Sequence, residues 1–81
     1  MHQPIKTPTQ LGEILRARRK SRQISQAELA SKLGISQSRW STLEADPASL
    51  PVERLIAALR LLGLELVVQE HRREGRSHPE W

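Results

Sequence analysis

The chain contains no cysteine, no phenylalanine and no tyrosine, and its only aromatic side chains are two tryptophans. Without cysteine there is no disulfide framework and no thiolate metal site. That composition fits a reducing cytosol, so a cytoplasmic location is expected. Without a set of aromatic rings, the platforms on which proteins stack unpaired bases are missing, and single-stranded nucleic acid is a poor fit. No apolar stretch approaches the roughly 20 residues that cross a bilayer. Met1-His-Gln-Pro-Ile-Lys6 also lacks the apolar segment of a signal peptide, and no membrane partner is expected. The histidines fall at His2, His71 and His78. They have no metal-ligand spacing and no partner carboxylate on a rigid element, and there is no glycine-rich phosphate loop. Neither an enzyme nor a metal, cofactor or small-molecule ligand is expected.

What is present is small and basic. The 81 residues carry 13 Lys or Arg against 9 Asp or Glu, a formal net charge of +4. This length supports one domain whose core is marginal and gains from oligomerising. The charge favours an acidic partner, of which nucleic acid is the commonest.

Residues 1–6 read as a flexible arm, 7–69 as a helical domain and 70–81 as a disordered tail without period. Thr7-Pro-Thr-Gln10 reads as a helix start: a Thr cap, Pro at the first position and Gln three after the cap. Leu11, Ile14 and Leu15 then mark a buried stripe, and this helix is expected to end near Ser21 to Gln23. Ser25-x-x-Glu28 is a capping box for a second helix, from which Ala27, Leu29, Ala30 and Leu33 face inward in some combination. Gly34 stops it by taking the left-handed conformation. Ser36 caps a third helix, with Trp40 and Leu43 inward. After a loop at Asp46 to Ser49, a fourth helix starts near Leu50-Pro51, packs through Leu55, Ile56, Ala58, Leu59 and Leu62, and closes at Gly63.

Residues 25–44 are the informative stretch. They describe two short helices joined by a tight turn, the second with a small, polar outer face. A helix-turn-helix needs this in order to lay its second helix in the major groove of duplex DNA. Ala30 is small where the helices cross closely, Gly34 makes the turn, and Trp40 plugs the angle between the helices. On the outer face stand Ser36, Gln37, Ser38, Arg39, Ser41 and Thr42. Gln bonds adenine bidentately and Arg bonds guanine likewise, while the hydroxyls serve bases or phosphates. Gln37 and Ser38 rank first, because base-reading residues gather at the N-terminal end of such a helix. For Arg39, base and phosphate stand level.

Gln26 begins the first helix of the motif, where its amide and the helix N-terminus suit a phosphate. It lies eleven residues before Gln37, a spacing that would let the two amides brace each other. Arg16, Arg18, Arg19, Lys20 and Arg22 place five positive charges in seven residues. Arg16, Lys20 and Arg22 are read as phosphate contacts. The competing reading is a solvated face with charges suited to a helix C-terminus. Arg19 is set apart as a structural partner of Glu44.

Leu64-Glu-Leu-Val-Val-Gln69 changes character. Its β-branched pair and partial alternation suggest a strand, with Leu64, Leu66, Val67 and Val68 as its apolar members. A lone strand has two unpaired edges, and the simplest solution is pairing with the same strand of a second copy about a two-fold axis. The alternative is that this segment extends the fourth helix. At the far end, Trp81 sits on a polar tail, where it either docks in a partner's pocket or folds back idle.

The set Leu11-x-x-Ile14-Leu15, Ser25-Gln-Ala-Glu-Leu-Ala30, Leu33-Gly-Ile-Ser36 and Leu43-Glu44 resembles the Cro/repressor-like helix-turn-helix family, also called XRE, over about residues 8–64. Thr7-Pro-Thr-Gln-Leu11, the Leu64–Gln69 segment and the Glu80-Trp81 end are similar to the HipB-type antitoxins, partners and co-repressors of HipA kinase toxins. The resemblance implies a mainly α, four-to-five-helix Cro/lambda-repressor-like domain with a short C-terminal β-strand pairing across a homodimer. It implies a sequence-specific repressor that binds a two-fold operator, neutralises a HipA-like Ser/Thr kinase and autorepresses its operon. It matches Ser36, Gln37 and Ser41 to base-reading positions and Trp81 to a kinase-docking residue. The departures are Ser36 in place of a Lys, the bulk of Trp40, and Arg18 at a usually apolar site. Two rivals remain: a repressor with no toxin partner, differing only in the role of the tail, and a helix-turn-helix used as a protein-interaction module. The basic run and the small polar face of the third helix argue against the second.

Overall fold

A computed structural model describes residues 2–71. Four α-helices follow one another, α1 (Pro8–Ser21), α2 (Gln26–Leu33), α3 (Gln37–Ala45) and α4 (Val52–Leu61), with one 3-10 turn at Pro47–Ser49 between the last two. The fold is mainly α, and none of the described residues forms a strand.

The first three helices start on their own local chemistry. Thr7 Oγ1 accepts from the Gln10 backbone N–H, and Pro8 opens α1 at a position where its missing N–H costs nothing. Ser25 Oγ accepts from Glu28 N–H while the Glu28 carboxylate accepts from Ser25 N–H, a reciprocal capping box. Ser36 Oγ accepts from Arg39 N–H. Gln10 also reaches back, accepting from Lys6 N–H and donating to Pro4 O, which ties residues 4–6 to α1.

Three helices also end alike. Ile24 N–H bonds Arg19 O, Ile35 N–H bonds Ala30 O, and Leu64 N–H bonds Leu59 O. Each time a residue at positive φ precedes the apolar one: Gln23 at 58°, Gly34 at 75° and Gly63 at 76°. This is the Schellman ending, in which the reversed chain satisfies the last carbonyls and folds an apolar side chain onto the helix. Ile24, Ile35 and Leu64 all pack against the core.

That core joins Leu15, Leu29, Trp40, Leu43 and Leu62, all fully buried, with Ala30, Ala58 and Leu59. Helix α2 packs on α3 and α4, while α1 packs on α3 and the 3-10 turn. Two expected inward residues turn out otherwise. Ala27 is exposed, and Ile56 is 41% exposed. The buried stripe of α4 runs through Leu55, Ala58, Leu59 and Leu62, and Ile56 lies off it at 3.6 residues per turn. Gly12 is the closest point of helix contact. A Cβ there would stand 2.6 Å from the Glu44 carbonyl oxygen and 3.1 Å from Pro47 Cγ.

After Gly63 the chain leaves the helix, so residues 64–69 do not extend α4. Nor do they form the expected strand within one chain. A ladder needs a second strand, and the described residues offer none. No helix among the described residues is long and apolar enough to cross a membrane.

Candidate nucleic-acid interface

The outer face of α3 is a row of short polar side chains. Ser36, Gln37, Ser38, Arg39 and Thr42 are exposed, and Ser41 is half-buried. Their hydrogen-bonding capacity differs. Ser36 Oγ is engaged in its cap. Thr42 Oγ1 donates to Ser38 O, so its proton is held by the helix and only acceptor capacity faces outward. The side chains of Gln37, Ser38 and Arg39 have no hydrogen-bond partner among the described residues, leaving them available to a ligand. Behind the row, Ala30 is buried at the crossing of α2 with α3, and Gly34 makes the turn with open space where a Cβ would be.

One carboxylate holds this face to the rest of the domain. Glu44, 3% exposed, accepts four hydrogen bonds. Its Oε2 takes Arg19 Nε and Trp40 Nε1, each at 2.9 Å. Its Oε1 takes Arg19 Nη2 and Gln26 Nε2, each at 3.0 Å. Arg19 Nη1 donates onward to Ile24 O. The group thus links the end of α1, the start of α2 and the interior of α3. Burial acts to raise the Glu44 pKa. The hydrogen bonds from Arg19, Gln26 and Trp40, with the Arg19 charge, outweigh it and hold the carboxyl below its ordinary value. Its hydrogen bond to Glu44 is the main reason the Arg19 pKa is raised. A buried ion pair is tolerated only when its remaining hydrogen-bonding capacity is met, and no buried side-chain N or O among the described residues lacks a partner.

Arg19 pairs with Glu44 as expected, and Gln26 and Trp40 are two further donors that spacing alone did not point to. Gln26 is not braced against Gln37. Its amide nitrogen is turned to Glu44, because a carboxylate is the stronger acceptor and binds both of its neighbours. Since Glu44 only accepts, Gln26 must present its NH2 inward. Its second amide hydrogen and its carbonyl oxygen remain free.

The basic run divides by helical geometry. Arg16 and Lys20, one turn apart, line a shallow groove together with Gln26 and Ser41 and with Glu44 at its floor. Arg18 and Arg22 point the other way. Arg18 Nε donates to Leu62 O at 2.9 Å, and a Cβ on Gly63 would stand 2.5 Å from Arg22 Nη2 and 3.4 Å from Arg18 Nη2. Arg22 therefore stands apart from Arg16 and Lys20. Two residues along a helix turn the side chain by about 200°, and Arg22 lies at the C-terminal end of α4 instead. Farther on, Leu64 is half-buried, whereas Leu66, Val67 and Val68 are 48%, 60% and 94% exposed. Trp81 lies outside the described residues.

Two helices crossing at a glycine-ended turn, the second carrying an outward polar row beside Arg16 and Lys20, define a helix-turn-helix DNA-binding domain. The family described as "Helix-turn-helix domain" matches residues 10–74. The chain belongs to this XRE-like helix-turn-helix family. Among solved structures it is similar to HipB. The chain in "Structure of HipA-HipB-O2-O3 complex" is 30% identical, with a TM-score of 0.79 over 88% of this chain and 100% of that one. The chain in "HipB-O4 20mer complex" is 30% identical at a TM-score of 0.78, again over 88% and 100%. A chain described as "MDT Protein" gives the same identity, TM-score and coverage. No curated protein matches the chain.

Proposed function

We propose that this protein is a homodimeric repressor that reads a two-fold DNA operator through α3 and serves as the antitoxin of a HipA-like kinase, autorepressing the operon that encodes both. One observation carries the DNA-reading role: unsatisfied Gln37, Ser38 and Arg39 side chains stand on a helix whose orientation is set from behind by the four-way Glu44 network. Recognition needs base-contacting groups that are both free and pre-positioned. Ser36 and Ser41 complete the base-facing set, with Thr42 as an acceptor. Arg16, Lys20 and the free half of the Gln26 amide take phosphates.

The dimer is supported by exposed apolar residues on α4 and on the segment that follows it. Val52, Ile56, Leu66, Val67 and Val68 are all more than 40% exposed. The toxin partner is supported by similarity to the HipB of a HipA-HipB complex, and Trp81 is its proposed docking residue. Selection from a random duplex pool at near-physiological salt tests the reading. The expected result is a two-fold consensus with half-sites about one helical turn apart or a multiple of it. Gln37→Ala is expected to weaken binding to that consensus by about 1–3 kcal/mol and leave random DNA unaffected. Equal losses on both would end the base-reading role. Pull-down of a HipA-like kinase, with and without Trp81, tests the second half.

A further inference from the structure

Beside Gly63 stand two guanidinium groups with no acidic partner among the described residues. Arg18 and Arg22 converge on Gly63, and the one ion pair among the described residues is Arg19 with Glu44. Arg18 uses its Nε on Leu62 O, which leaves its terminal nitrogens beside those of Arg22. The carbonyls at the C-terminal end of α4 favour these charges, and a carboxylate placed beside both guanidinium groups adds to that. The segment that starts at this spot has, from residue 65 to 71, no backbone hydrogen bond among the described residues.

Its residue pattern supplies that carboxylate. In a strand, side chains alternate in direction. Leu64, Leu66, Val68 and Glu70 would share one side, and Glu65, Val67 and Gln69 the other. Leu64 already packs against the core, so the first set is the inward one. A two-fold antiparallel ribbon that keeps both inward sets together pairs even positions with even positions. Centred on Leu66, it sets Leu64 opposite Val68 and Leu62 opposite Glu70. Centred on Val67, it sets Leu66 opposite Val68 and Leu64 opposite Glu70. Either way the partner's Glu70 arrives level with Leu62–Leu64, where Arg18 and Arg22 meet.

We infer that Arg18 and Arg22 form a clamp for the partner's Glu70, so that two symmetry-related clamps confine the dimer ribbon to these two registers. This rests on the two-fold dimer proposed above. The apolar members of a six-residue segment specify register weakly, since a slip of two residues still buries apolar against apolar. A charge pair at each end penalises slips beyond those two registers, which carry Glu70 away from Arg18 and Arg22. The occupant is a second copy of this chain because Glu70 and the apolar strip lie on the segment that begins where the two guanidinium groups sit, at Gly63.

The test is sedimentation equilibrium of the full chain at low and high salt. Glu70→Arg is expected to raise the dimer Kd about tenfold at low ionic strength, because two attractive pairs become repulsive. The effect should shrink at ~0.5 M salt. Combining Glu70→Arg with Arg22→Glu should bring Kd back to within about threefold of the unmodified chain. If Glu70→Arg dimerises as tightly as the unmodified chain, or if the swap gives no recovery, the clamp is wrong while the dimer stands. If the unmodified chain stays monomeric throughout, the dimer itself is wrong and the clamp falls with it.

Discussion

On the α2–α3 side of this domain the exposed residues are short and polar, and behind them Glu44 has every donor it can use. On α4 and the segment after it Val52, Ile56, Leu66, Val67 and Val68 are exposed and apolar, and the backbone of residues 65–71 has no partner among the described residues. The first face is completed by one chain. The second carries exposed apolar side chains and unpaired backbone among the described residues. The difference separates two kinds of stability. Interactions behind α3 hold at any protein concentration, whereas anything α4 and the following segment gain by pairing rises with concentration by mass action.

The sharpest way to break this contrast is at Glu44. Glu44→Gln keeps the shape but leaves the buried Arg19 without a counter-charge. It is expected to cost about 3–5 kcal/mol in urea unfolding, equally in dilute and concentrated samples. Acid should produce part of the same loss. The carboxyl titrates lower in the folded state than its ordinary 4.5, so its contribution is complete above that pH and is lost as pH falls through the folded value. Urea midpoints measured from pH 6 down to 3 should decline in the unmodified protein, and Glu44→Gln should remove part of the slope.

Next is Gly12→Ala. The added methyl group meets the Glu44 carbonyl and the Pro47 ring, pushing α1 off α3. Overpacking of this sort costs about 1–3 kcal/mol, set against less than ~1 kcal/mol gained in helix propensity, and a lowered thermal midpoint is the expected outcome. Gln23→Gly should do the reverse. The left-handed backbone at Gln23 disfavours any residue with a Cβ by about 1–2 kcal/mol, so calorimetry should show a gain of up to ~1 kcal/mol. The smallest effect on the isolated chain belongs to the other face. Val68→Ser, at a 94% exposed position, should alter monomer stability by less than ~0.5 kcal/mol while weakening self-association in sedimentation. A large loss in the monomer would mean that the segment is packed within its own chain.

Much of the architecture was legible because it is local. A cap is decided within three residues, as Thr7, Ser25 and Ser36 demonstrate, and a positive-φ glycine after an apolar run marks a helix end, as at Gly34 and Gly63. Gln23 carried no such mark. It takes the same conformation because Ile24 must turn back onto the core, which is a demand of packing rather than of residue type. The candidate site divides the same way. Its outward row can be read from spacing along α3. The bonds from Gln26 and Trp40 to Glu44 could not be read together, because Gln26 lies 18 residues away from Glu44 and the choice of partner depends on how α2 is laid across α3. Gly12 left one trace in the sequence, an unfavourable residue in mid-helix with no turn to justify it.

The sequence by itself determined where each helix begins, that a glycine-ended turn joins α2 to α3, and that the outer row of α3 is polar. Those properties follow from residues within a few positions of one another. Only the tertiary structure decided which face each arginine of the basic run occupies, that one buried carboxylate gathers Arg19, Gln26 and Trp40, and that residues 64–69 find no strand inside their own chain. Each of these depends on the relative placement of helices distant in sequence. Hydrogen bonds and buried charge are satisfied by whatever group arrives in space, and sequence separation does not constrain that.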